Sequence, residues 1–247
     1  MLRTSFFSFV LFHVIISLMF SQYPENTGNE YSVIRETAGI SEIYDSLFID
    51  LQLIDGRLHS AKYPSGTNHA FFLNGEPVPG KIMINGKEYT HPYIRYDLLN
   101  DMLQIYHFSR SGTHIIDLNK EKVEAFSISG HNFEHISVAK YPGFSFNEGF
   151  YEVMYGGKYT YWLHREKIFM SKTIETTGGY ETVLSRYISG PLGWFRITNQ
   201  KSLLTALPEK KDELKEFLRK SHITIKLATD EEITGIIKFY ESITVKN

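Results

Sequence analysis

The residues whose types and spacing could do chemistry are few. His131-Asn132-Phe133-Glu134-His135 has the His-x-x-Glu-His order of inverted zinc peptidases. That chemistry needs both histidines on one helix face, with the glutamate beside the metal-bound water. Here Gly130 and Asn132 disfavour a helix, and the flanks at 126–128 and 136–138 read as strand. In a strand the two histidines would stand roughly 13 Å apart, too far for a shared metal bonded at about 2 Å. With ten histidines in the chain, chance alone can produce such a match. Gly143-Phe144-Ser145-Phe146-Asn147 lacks the second glycine of a nucleophile elbow and has no strand–turn–helix context. No phosphate-cradling or dinucleotide glycine motif occurs, calcium-loop spacing is absent, and the scattered carboxylates nominate no glycosidase pair. The chain has no cysteine, which excludes a thiolate zinc site and a cysteine nucleophile. No residue is assigned a catalytic, cofactor-binding or metal-binding role, and no cofactor is expected.

One aromatic cluster remains. Tyr151, Tyr155, Tyr159, Tyr161 and Trp162, beside Phe150, could form a ligand surface whose ring faces stack on sugars or apolar peptides. The blander use of the same pattern is packing, with alternate rings filling a core and the others pairing across strands.

These residues need a sheet to position them. Residues 80–128 hold short runs rich in β-branched and aromatic residues, each closed by a turn signal, which predicts an antiparallel meander. Asn85-Gly86 is the sharpest of these signals, because a two-residue hairpin turn needs φ > 0. Leu99-Asn100-Asp101 and Ser111-Gly112 mark further reversals. Strands are also expected at 47–54 (turned by Asp55-Gly56), 70–73, 136–140, 187–188 and 194–197, with 63–68 a loop. Residues 150–155 and 159–164 should form a hairpin about Gly156-Gly157-Lys158. From Lys201 the pattern turns helical. Pro208 suits a first helical position, and Leu214, Phe217 and Leu218 fall at helical spacing. Thr229-Asp230-Glu231-Glu232 reads as a capping box ahead of the stripe Ile233, Ile236, Ile237 and Tyr240. The lysines and arginines of 201–220 interleave with acids, as on a solvated helix face.

Composition sets the outer bounds. The chain has 247 residues, 42% hydrophobic and 15% aromatic, enough apolar material for a sizeable core. Its net charge is −2, so no strong field draws it to nucleic acid. Arg3 followed by the apolar run 6–20 and the polar break at Ser21 predicts a signal peptide over 1–21. The run is shorter than the ~20 residues of a membrane span, and no second apolar segment of spanning length follows. Residues 22–30 read as a polar leader, 31–200 as a β-rich domain, and 201–247 as a helical segment packed on the sheet.

The hairpin at 80–89, Arg95-Tyr96-Asp97-Leu98, residues 150–161 and the helical end 201–240 together resemble a family of exported proteins from the Bacteroidota. In that family a Gly-x-Ile-x-Ile-x-Gly-x-x-Tyr hairpin precedes an Arg-Tyr-Asp-Leu-like strand. The resemblance implies export and a β-rich fold and brings no catalytic residues with it.

The expectation is therefore an α+β fold: an antiparallel meander, open or closed into a small barrel or roll, with two C-terminal helices. The expected function is that of an exported, non-catalytic binding or structural module of a Gram-negative envelope, periplasmic or outer-membrane-associated. Its partner would be an envelope protein or a glycan. The alternative is a periplasmic hydrolase. An outer-membrane barrel is disfavoured by the helical C-terminus and the charged strand edges.

Overall fold

Two tight turns of the same kind fix the first half of the sheet. Asn85 and Gly86, at φ 49° and 75°, join β2 (Val78–Ile84) to β3 (Lys87–Asp97). Ser129 and Gly130, at φ 50° and 82°, join β6 (Val123–Ile128) to β7 (His131–Ile136). Positive φ at both positions matches the twist of the flanking strands. The computed structural model describes residues 56–109, 112–141, 145–173 and 177–244. The remaining strands are β1 (Gly56–Leu58), β4 (Met102–Ser109), β5 (Gly112–Leu118), β8 (Gly149–Tyr155), β9 (Thr160–Met170), β10 (Gly179–Gly190) and β11 (Gly193–Ile197). All eleven form one antiparallel sheet in the order β1-β5-β4-β3-β2-β6-β7-β8-β9-β10-β11.

The meander is broken once. Strand β6 pairs with β2, not with its sequence neighbour β5. In a flat sheet those two strands would lie four spacings, or about 19 Å, apart. Only residues 119–122 connect them, and Lys120–Lys122 is a 3-10 turn that advances about 2 Å per residue. So short a link requires β2–β6 to curl and tilt until the end of β5 meets the start of β6. Side chains from every one of these strands accordingly meet in one core, among them Ile82, Tyr96, Ile105, Leu118 and Phe126, which Phe133 and Phe150 complete. The sheet nevertheless stays open, with β1 and β11 at its ends. The fold is α+β, as expected, with half of the sheet rolled and no closed barrel.

The second half carries the helices on one face. These are α1 (Gln200–Ala206), α2 (Lys211–Lys220) and α3 (Asp230–Thr244). The predicted capping box is present: Glu232 N donates to Thr229 Oγ1 at 3.2 Å, and Thr229 N to Glu232 Oε2 at 2.8 Å. Ile233, Ile236, Ile237 and Tyr240 are fully buried against Tyr159, Tyr161, Leu163 and Ile188. Among the described residues no helix is long and apolar enough to cross a membrane.

Several local expectations are corrected. Pro208 precedes α2 instead of opening it, because Lys210 takes φ 50° and the helix begins only at Lys211. A third helix, α1, comes before the two expected, capped reciprocally by Asn199 and Ser202. Residues 70–73 make a single bridge, Phe71 to Asp97, and no strand, since Leu73 turns away at φ 50°. The strand expected over 136–140 ends at Ile136, where Ser137 draws the chain into a turn by accepting from Lys140 N and Tyr141 N. Gly56 opens β1 instead of closing a turn. The predicted segments 1–21, 22–30 and 47–54 lie outside the described residues.

Candidate functional site

The sheet divides the five rings nominated from sequence. Tyr151 and Trp162 lie on the face opposite the helices, in a cluster with Ile136, Tyr141 and Tyr187. Trp162 Nε1 donates to Ser189 Oγ at 2.8 Å and its ring stacks on Trp194, while Tyr151 stacks on His164 with centroids 4.4 Å apart. Tyr159 and Tyr161 lie on the other face, beneath α3. Tyr155 joins them because the register shifts between Val153 and Tyr155, setting it opposite Tyr161. Tyr151, Tyr159, Tyr161 and Trp162 are at most 2% exposed. The cluster is core packing in two layers and offers no common surface. Tyr155 is half-buried, and burial followed by its bond to Glu241 Oε2 pushes its hydroxyl up to about 12.

The histidine motif is strand β7, as its flanks imply. His131 Nδ1 donates to Glu152 Oε1 at 2.5 Å, and Glu152 also pairs with Arg165. Glu134 lies on the opposite face of the strand and accepts from Tyr141 Oη at 2.9 Å. His135 is buried, and among the described residues its Nε2 has no hydrogen-bond partner. Among the described residues no group of three metal-ligating side chains is placed to hold an ion. Ser145 lies outside any strand or helix.

A different set of side chains converges on the outer face of the curled half. Alternation along β3 sends Ile94, Tyr96 and Leu98 into the core and leaves Tyr93, Arg95 and Asp97 on the outside. On β4, Leu103 and Ile105 point inward while Gln104, Tyr106 and Phe108 point outward. Register aligns Tyr93 with Tyr106 and Ile115, and Arg95 with Gln104 and Asp117. Residues 59–73 cross this face as a strap.

The polar row is ordered by donor–acceptor logic. Arg95 Nε and Nη2, which can only donate, both reach Gln104 Oε1, at 3.0 and 2.8 Å. The Gln104 amide therefore turns its Nε2 to Asp117 Oδ1 at 2.9 Å. His59 Nδ1 donates to the same oxygen at 2.8 Å. Asp97 accepts from Tyr63 Oη (2.8 Å), Leu99 N (2.9 Å), Asn100 N (3.2 Å) and Asn100 Nδ2 (2.7 Å), which ties the strap to the β3–β4 turn. Burial first, then the bond to and charge of Asp97, push the Tyr63 hydroxyl far above its ordinary range.

Rings overlie this row. The Arg95 guanidinium sits 3.7 Å from the Phe71 ring centroid and 5.1 Å from that of Tyr106. Tyr63 meets Phe71 edge-on at 5.0 Å, and Tyr93 meets Phe108 likewise at 5.5 Å. Phe71, Tyr93 and Tyr106 are half-buried, and Phe108 is 52% exposed. The face thus combines paired rings with one stacked cation. Its carboxylates and its histidine are engaged with structural partners. The signal for it was the alternation in 93–98 and 103–108, where every second residue is large and not required by the core. No family model, no curated protein and no solved structure matches the chain.

Proposed function

We propose that the protein is an exported, non-catalytic binding module of a Gram-negative cell envelope, periplasmic or outer-membrane-associated, acting through the outer face of β3–β5. The N-terminal charge and apolar pattern and the resemblance to exported Bacteroidota proteins support the location. One observation carries the binding reading: Tyr93, Tyr106 and Phe108 keep ring surface in solvent on the outside of the sheet, although the core beneath is already filled by Ile94, Tyr96 and Ile105. Fixed aromatic side chains present contact area at small entropic cost, as recognition surfaces do. Asp117 and Gln104 bond to each other and Asp97 to the strap and the β3–β4 turn, which favours binding over hydrolysis. The test is a glycan array probed with the wild-type protein and with Phe108→Ala. Retention on a subset of glycans that Phe108→Ala loses, with an unchanged melting temperature, is the expected result. No retention, or retention indifferent to Phe108, would overturn the assignment.

A further inference from the structure

The charge that the aromatic face leaves outward names the class of ligand, given the binding reading above. Asp97 and Asp117 are buried, at 1% and 5% exposure; Tyr63, Asn100 and Leu99 occupy the oxygens of Asp97, while Asp117 Oδ1 accepts from His59 and Gln104 and its Oδ2 pairs with Arg57 at 3.7 Å. Neither acid presents itself to a ligand. Arg95 differs. Of the five N–H donors of a guanidinium, two reach Gln104 Oε1, which leaves three. Arg95 makes no ion pair among the described residues, and its position is fixed between Phe71 and Tyr106. The hydroxyls of Tyr93 and Tyr106 likewise make no hydrogen bond among the described residues.

An extended peptide would gain affinity by adding a strand to an open sheet edge. Strands β3 and β4 offer none, since each is paired on both sides. Flat rings, phenol hydroxyls unengaged among the described residues and one planar cation instead match a sugar ring: C–H faces lie on the aromatics, and a carboxylate meets the guanidinium in a forked, charge-assisted pair. We infer that this face binds an acidic saccharide, with a uronate carboxylate on Arg95 and pyranose faces on Tyr93, Tyr106 and Phe108.

Isothermal titration of the full chain with α-1,4-trigalacturonate, with neutral α-1,4-galactotriose and with triglutamate tests this. Trigalacturonate should bind at least about tenfold more tightly than the neutral trisaccharide, which is about 1.4 kcal/mol, and added salt should narrow the gap. Arg95→Gln and Arg95→Lys should both erase the preference, the lysine because it lacks the planar fork. Should Arg95→Gln fail to fold, Arg95→Lys, which keeps the charge and most of the stem, carries the test. Phe108→Ala should weaken both sugars alike. Equal affinity for the two sugars, with sensitivity to Phe108 retained, would overturn the acidic class and leave the binding reading standing. Tighter binding of triglutamate would make the ligand a peptide. Absence of binding to either sugar would overturn the saccharide inference, and the glycan array then decides the binding reading separately.

Discussion

Tyr161, on β9, donates its phenol hydrogen to Asp230 Oδ1 in the first residue of α3, at 2.7 Å. The same oxygen accepts from Arg186 Nε on β10, at 3.0 Å. At the far end of α3, Glu241 accepts from Tyr155 Oη at 2.6 Å and from Tyr159 N at 2.8 Å, both on the β8–β9 hairpin. The helix is therefore bolted to the sheet at both ends, with its isoleucine stripe buried between them. An isolated helix of this length is marginal in water, so this docking supplies most of its stability.

Truncating the stripe should accordingly unfold the whole domain and not merely the helix. Ile236→Ala or Ile237→Ala should cost about 2–5 kcal/mol, the usual range for a fully buried isoleucine. The expected thermal transition is single and shifted downward, whether followed by helix signal or by tryptophan fluorescence. Both tryptophans lie in the sheet, so a helix signal lost well before the fluorescence change would show that α3 is an appendage.

Gly235 sits in the middle of α3, where an added Cβ would meet nothing within 4 Å among the described residues. It gains nothing from lacking a side chain, while glycine costs a helix interior about 0.5–1 kcal/mol relative to alanine. Gly235→Ala should raise the denaturation midpoint by that amount without altering its slope. A loss of stability would mean that the exposed side of α3 meets something further.

Gly149 is small for a different reason. A Cβ there would collide with Asp101 Oδ2, and that carboxylate is held by Tyr96 Oη at 2.6 Å and by Lys120. Gly149→Ala should displace it and leave the buried Tyr96 hydroxyl unpaired, at a cost of about 1–3 kcal/mol. With Asp101→Ala already in place the collision is gone, so the same substitution should be nearly neutral. A double-mutant cycle measures the coupling. Additive effects would show that Asp101 is not the obstacle.

Much of this was legible in the sequence where a local rule decides. Asn85-Gly86 could only turn tightly, Thr229 and Glu232 could only cap, and the Ile233–Tyr240 spacing could only make one buried stripe. What escaped depends on pairing at a distance. Nothing local reveals that Val123 pairs beside Ile84 and not beside Leu118, because the curl arises from register summed over several strands. The ring cluster is the packing its alternation allowed, but how the rings divide between the two faces escaped for the same kind of reason. A single register irregularity between Val153 and Tyr155 decides which face each ring of the hairpin joins, and period-two counting cannot see it. The outward row Tyr93, Arg95, Tyr106 and Phe108 was present as alternation, but only the pairing of β3 with β4 brings its members together.

Acid should weaken the fold through histidines that burial depresses, His69 among them and His135 and His164 above all. His135 and His164 are buried, and burial pushes both below the ordinary imidazole range. Around His135 lie Glu121, Lys120, Asp101 and Lys140; around His164 lie Glu166, Asp101, Lys120 and Arg196. The acids in these sets oppose the downward shift without reversing it. The folded state therefore holds both rings neutral at a pH where the unfolded chain, titrating near 6.5, already takes up protons. Their contribution is fully present above about pH 6.5 and is lost as pH falls from there toward the depressed folded values. The limiting slope is about 1.4 kcal/mol per pH unit for each histidine. His135 is the cleaner probe, since its Nε2 has no partner among the described residues and its ring packs on Phe150 at 5.4 Å. His135→Phe should keep the packing, remove the titration and flatten the fall in urea-unfolding free energy between pH 6.5 and 5 by up to that slope. If the variant loses stability with acid as steeply as the wild type, His135 is not taking up the proton, and the loss belongs to His69, His164 or the carboxylates.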